Sequence, residues 1–199
     1  MKRELFAFVL VSLLIISLTT LKAQTLTLTK IWETEATLKV PESVIYNPLD
    51  KSLYVANING NPWDKDGNGF ISKISLHGKI EVLEWVKGLD APKGMGIFKN
   101  KLYVADVNKI VVIDIHKAVI EKTIEVPESK LLNDITVSNT GDIYISDSGN
   151  QRVFILKGDK AEVWLQSDQI EKPNGLLALP HHLLIADMNT GTLLKADYS

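Results

Sequence analysis

The sequence contains no cysteine, which excludes a disulfide framework, a thiol nucleophile and a lipid-accepting cysteine. Charge of one sign is equally scarce: 22 Lys and Arg stand against 24 Asp and Glu, a net charge of −2. Lys2, Arg3, Lys22 and Glu4 hold a net +2 of the first 23 residues, so the rest of the chain carries −4. A mildly acidic chain of this kind offers no footprint for nucleic acid or for an anionic membrane surface. No G-x-S-x-G elbow occurs. The GMG at 94–96 lacks the third glycine and following helix of a dinucleotide fingerprint. Long amphipathic helices are missing as well; the best stretch for one, Ile113 to Val126, is β-branched and keeps a strand rhythm.

One continuous apolar run is present, Leu5 to Leu18 in MKRELFAFVLVSLLIISLTTLKAQ. It falls short of the roughly 20 residues that cross a bilayer as a helix. With a positive start before it and permissive residues up to Ala23, it is expected to be a secretory signal peptide, residues 1–23, cut after Ala23. The expectation is therefore an exported bacterial protein, periplasmic or secreted, with residues 24–199 as one domain and no membrane association beyond the export signal.

What fills those residues is a repeat. LYVAN at 53–57, LYVAD at 102–106, IYISD at 143–147 and LLIAD at 183–187 align, and their last residues are 49, 41 and 40 apart. The longer first interval holds an insertion, NGNPWDKDGNG, Asn59 to Gly69. Periods of 40 to 50 residues built from short alternating strands and Gly, Asn, Asp or Pro turns predict an all-β propeller of four-stranded blades. About four blades are present. The fourth repeat supplies three strands before Ser199, so two arrangements are expected: part of a larger ring, favoured as six-bladed, or a closed four-bladed ring in which Thr25 to Trp32 adds the missing outer strand.

Fourteen to sixteen residues before each aligned Asn or Asp lies a second repeated feature: PESV at 41–44, PKGM at 92–95, LNDI at 132–135 and PNGL at 173–176. If these open the innermost strands, their second residues, Glu42, Lys93, Asn133 and Asn174, point at the central channel. Proline or leucine fixes the start of each strand, and glycine lets the backbone approach closely. Oxygens of Glu and Asn converging on one point suit a hard cation, and the amides also offer donors to a hydroxyl or carbonyl. Polar residues in such places also cap turns.

In the stretches PESVIYNPLDKSLYVAN, LNDITVSNTGDIYISD and PNGLLALPHHLLIAD the chain resembles the gluconolactonase/regucalcin (senescence-marker-protein-like) propellers, with the texture of NHL repeats. That resemblance implies a six-bladed ring, of which this would be an incomplete part. It also implies one axial divalent cation, calcium or zinc, held by Glu42 and Asn174, with Asn133 facing a small lactone or sugar-derived substrate. Lys93, in the equivalent slot, is expected to pair with Glu42 in place of a metal or to face the substrate. The metal would polarise an ester carbonyl. The later-blade Asp that serves the family as ligand and base has no counterpart here, so the catalytic residue is unknown. The alternative expectation is a non-enzymatic NHL-like propeller that binds a protein or glycan partner.

Three smaller features complete the reading. DKDGNG, Asp64 to Gly69, matches the first half of a calcium-loop pattern, but Ser75 stands where a bidentate Glu belongs, so a polar hairpin insertion is expected. DSGNQRV, Asp147 to Val153, looks like an NHL turn in which Asp147 accepts backbone N–H bonds and pairs with Arg152. Trp85 and Trp164 occupy fourth-strand positions and are expected to pack between blades, whereas Trp63, in the insertion, is placed to line a channel mouth.

Overall fold

The computed structural model describes residues 29–198; the expected signal peptide, 1–23, lies outside them. The first blade is β1 (Pro41–Asn47), β2 (Ser52–Asn57), β3 (Gly69–Ser75) and β4 (Ile80–Leu89). The second is β5 (Pro92–Phe98), β6 (Lys101–Asp106), β7 (Lys109–Asp114) and β8 (Val119–Glu125). The third is β9 (Leu132–Val137), β10 (Ile143–Asp147), β11 (Arg152–Lys157) and β12 (Lys160–Gln166). The fourth holds β13 (Pro173–Ala178), β14 (His182–Asp187) and β15 (Thr192–Asp197). Each sheet is an antiparallel meander in chain order, the architecture of propeller blades. No helix among the described residues is long and apolar enough to cross a membrane.

The blades stack in series. The inner strands touch as β1 with β5, β5 with β9, and β9 with β13, and no comparable contact joins β13 to β1 among the described residues. This is a partial propeller rather than a closed four-bladed ring. The strand expected over Thr25 to Trp32 is not formed where it can be followed: Thr29 to Trp32 are non-strand. Trp32 instead covers the β3–β4 turn, where a Cβ on Gly78 would fall 2.4 Å from its ring. Gly78 also has φ 78°, so both space and conformation hold that position to glycine.

Alternation explains the layering. In β6 and β10 successive side chains go to opposite faces, and because blades cover both faces, both sets are apolar and buried. Tyr54, Ala56 and Ile71 of the first blade pack on Met95, Leu102, Val104 and Val111 of the second. Ala105, Ile110 and Val112 of the second meet Ile135, Ile143, Ile145 and Phe154 of the third. Tyr144, Val153 and Ile155 meet Leu176, Leu183 and Ile185 of the fourth. Each such large side chain contributes about 1.5–3 kcal/mol by leaving water. As expected, the two fourth-strand tryptophans join these layers: Trp85 lies 4.5 Å from Tyr54 and Trp164 lies 5.0 Å from Tyr144, centroid to centroid.

The recurring Asn or Asp is a backbone clamp. Asp106 accepts the N–H of Asp90 (2.9 and 3.0 Å) and of Ala91 (2.7 Å). Asp147 takes those of Lys130 and Leu131, Asp187 those of Glu171 and Lys172, and Asn57 that of Lys39. In every blade, then, the end of the second strand fixes the loop that delivers the inner strand. Arg152 departs from expectation, because its guanidinium donates to Glu128 (3.4 Å) rather than pairing with Asp147. The β10–β11 turn leaves Asp147 to the backbone donors alone.

Burial opposes ionisation of Asp187, yet the N–H groups of Lys172, Thr190, Glu171 and Asn189 together hold its carboxyl below the usual value. A depressed folded-state pKa adds stability above the ordinary carboxylate value near 4 and loses it as pH falls through the folded value. Asp187→Asn is therefore expected to flatten the acid limb of a stability-versus-pH curve measured by urea unfolding. An unchanged acid limb would show that the clamp does not titrate with folding.

Candidate functional site at the axial mouth

The second residues of the four slots come together. Glu42, Lys93, Asn133 and Asn174 line one cavity of about 210 Å³, with Ile58, Pro62, Trp63, Leu131, Ser148, Lys172 and Met188 completing its wall. Each slot residue opens an inner strand, so the blade repeat itself brings the four to one end of the axis.

Lys93 is the best-fixed member. It is 3% exposed, and its ammonium donates to the carbonyls of Ala91 and Pro62, each at 2.9 Å. Pro62 belongs to the insertion, so Lys93 ties that excursion to the axis and sets Trp63 over the cavity. Burial pulls the ammonium below its ordinary value, against the opposing fields of Asp106 and Glu42. Glu42 is the counterpart: burial pushes its carboxyl up, Lys93 pulls it down, Asp134 pushes it up again, and a hydrogen bond from Ser43 lowers it.

The amides are held differently. Asn174 donates through Nδ2 to the Met188 sulfur at 3.3 Å, while its backbone carbonyl accepts the Ser146 hydroxyl at 2.7 Å. Asn133 lines the same cavity next to Asp134, a residue that sequence reasoning passed over. Asp134 accepts the N–H of Leu176 at 2.7 Å and its own neighbour's, that of Ile135, at 2.8 Å. Burial raises its pKa, against the lowering effect of these two bonds. Lys172 was missed too. The signal for both was their place in the repeat: Asp134 is the third residue of its slot, and Lys172 directly precedes Pro173.

The insertion is a folded turn. Asp66 accepts the backbone N–H of Asn68 at 3.2 Å and its side-chain amide at 2.6 Å, and Gly67 donates its N–H to Asp90 at 3.1 Å. Asp90 in turn meets Lys109 at 2.6 Å. Asp66, the middle residue of the half calcium-loop pattern, thus uses its oxygens on a local backbone N–H and an amide.

The donor set does not fit a resident divalent cation well. Calcium asks for six to eight oxygens, several of them anionic. Here one carboxylate shares the ring with an ammonium, and the oxygens of Asp134 are turned to Leu176 and Ile135. Two lysines, one glutamate and two amides give the wall both donors and acceptors of hydrogen bonds.

A model of the NHL repeat matches residues 132–156, from β9 through most of β11. The fold is a β-propeller with an NHL repeat in its third blade. No curated protein matches the chain. Among solved structures the propeller is similar to the computationally designed Ika4 protein, with a TM-score of 0.59 at 9% identity over 87% of this chain and 100% of that one. It is also similar to hydrazine synthase of Kuenenia stuttgartiensis, with a TM-score of 0.55 at 14% identity over 86% of this chain and 52% of that one. The propeller thus spans about half of the hydrazine synthase chain. At such identities these likenesses concern fold alone.

Proposed function

We propose that this propeller is an exported binding module whose axial mouth takes a small sugar-derived acid, free or as the terminal unit of a glycan. The observation that carries this reading is the Lys93 ammonium, buried beside Glu42 in a cavity shared with Asn133 and Asn174. A carboxylate of the ligand meets Lys93 and Lys172, its hydroxyls meet Glu42 and the amides, and Trp63 covers an apolar ring face. Titration calorimetry with gluconate is expected to give binding that Lys93→Met weakens at least about 30-fold, the loss typical of removing one partner of a buried charged contact. Uncharged glucose is expected to bind far more weakly. Undiminished gluconate binding by a folded Lys93→Met protein would overturn the reading.

A second reading, a metal-dependent lactone hydrolase, is favoured by the same convergence of Glu42, Asn133 and Asn174 on one cavity. It requires uptake of calcium or zinc that Glu42→Gln abolishes. It also requires lactone hydrolysis that depends on the added ion. Heat of binding from gluconate with none from either ion would leave the binding module standing alone.

A further inference from the structure

Three of the inner strands that open at the axial mouth line a second cavity farther along their length. It measures about 420 Å³, and Ile45, Leu49, Met95, Ile97, Ile135 and Val137 make most of its wall apolar. Asn47, Thr136 and Lys99 also belong to the wall, but their polar groups are engaged. The Asn47 side-chain oxygen accepts the Leu49 N–H at 3.2 Å, the Thr136 hydroxyl accepts the Ala178 N–H at 3.1 Å, and the Lys99 ammonium lies 5.2 Å from the centre of the Phe98 ring. The sequence writes this polarity into each strand: β5 runs from Lys93 to Ile97 and β9 from Asn133 to Val137, polar near the start and apolar toward the end.

The two cavities adjoin. On β5 the polar one is lined by Lys93 and the apolar one begins at Met95; on β9 the corresponding residues are Asn133 and Ile135. Two residues of strand span about 7 Å. Between them on β5 stands Gly94, which brings no side chain. Between them on β9 stands Asp134, whose carboxylate is turned to the N–H groups of Leu176 and Ile135. At about 210 Å³ the polar cavity is small, below the roughly 300–1,000 Å³ common for small-molecule sites. The apolar cavity brings the pair into that range.

We propose that the ligand of the axial mouth is an amphiphile, a sugar-derived acid whose glycosidic oxygen carries an aliphatic chain, and that the chain lies along β5 and β9 in the apolar cavity. This rests on the reading of the mouth as a sugar-acid site and names what the acid is attached to. Different physics holds the two parts. Lys93 and Lys172 fix the carboxylate by charge, whereas Ile97, Ile135 and Val137 take methylenes out of water, each worth up to about 4-fold in affinity. The tail is uncharged because Lys99 is the one charged residue on this wall among the described residues, and it sits over Phe98.

The test is titration calorimetry with methyl and octyl β-D-glucuronide, the octyl compound kept below its micelle-forming concentration, and with octanoate. Octyl glucuronide is expected to bind at least about 30-fold more tightly than the methyl compound. Leu49→Asp, at a residue 72% exposed, and Ile97→Asn are each expected to cut that gain at least about 5-fold and to leave methyl glucuronide binding unchanged, with circular dichroism matching the parent. Methyl glucuronide held through Lys93 with no gain from the octyl chain would overturn the amphiphile and leave the sugar-acid reading standing. An octyl gain that survives both apolar variants would place the chain outside this cavity and overturn the proposal as well. Octanoate bound as tightly as octyl glucuronide, with Lys93→Met indifferent to both, would overturn the amphiphile and the sugar-acid reading together.

Discussion

Asp106→Ala is expected to lower the unfolding free energy by about 3 kcal/mol in urea titrations, among the largest losses from a single side chain in this propeller. Two N–H groups, those of Asp90 and Ala91, lose their acceptor in a place that water does not reach, since Asp106 is 0% exposed. Each orphaned donor costs about 1–3 kcal/mol. Release of a buried carboxylate offsets part of the loss, because burial raises the pKa of Asp106 against the N–H bonds from Asp90 and Ala91 and the charge of Lys109, which lower it. A raised folded-state pKa adds stability below the ordinary carboxylate value and gives it up as pH rises through the folded value. The cost of Asp106→Ala should accordingly be larger at acid than at neutral pH, the reverse of the behaviour expected at Asp187.

Asp106→Asn is a graded control, because the first blade already uses an amide at this position. Asn57 accepts the Lys39 N–H and places its own NH₂ between the Val55 carbonyl and the Ser72 hydroxyl, both at 3.0 Å. In the second blade the partner corresponding to Ser72 is Val111, which offers no oxygen. An amide there keeps one good acceptor and gains a poorly partnered donor. A loss of roughly half that of the alanine variant is expected. Equal midpoints for parent and Asp106→Ala would show that these loops do not need the clamp.

What was legible in the sequence follows from where the repeat is strict. LYVAD, IYISD and LLIAD are read easily because the alternation of two buried faces and the terminal Asp recur with a fixed period, and each has one physical cause. The slot residues were legible for the same reason: a repeated backbone carries Glu42, Lys93, Asn133 and Asn174 to equivalent places whatever their chemistry. What the pattern could not supply is the direction of individual side chains at the margins. Arg152 could reach Asp147 or Glu128, and only the course of the preceding loop decides for Glu128. The hold of Lys93 on Pro62 crosses 31 residues into an insertion that belongs to no repeat. The glycine of Pro-Asn-Gly was the least readable feature. Its need for space depends on a neighbour, and within the chain the neighbour is present at Gly94 and absent at Gly175.

That contrast yields the second large effect, Gly94→Ala. A Cβ at Gly94 would stand 2.3 Å from Asp134 Oδ1, 2.5 Å from its Cα and 2.8 Å from the Asn133 carbonyl oxygen. Two of those three atoms are backbone, so no rotamer change relieves the overlap, and β5 must part from β9. The separation would loosen the packing of the second blade on the third and carry Lys93 away from Asn133. A cost of about 3 kcal/mol is expected, at the upper end for overpacking. The same substitution at the equivalent Gly175 meets only the Ala186 Cβ at 3.7 Å, and should stay within about 0.5 kcal/mol of the parent. Urea midpoints of the two variants decide the matter. Equal losses would mean that the close approach of Asp134 is not what holds this position to glycine.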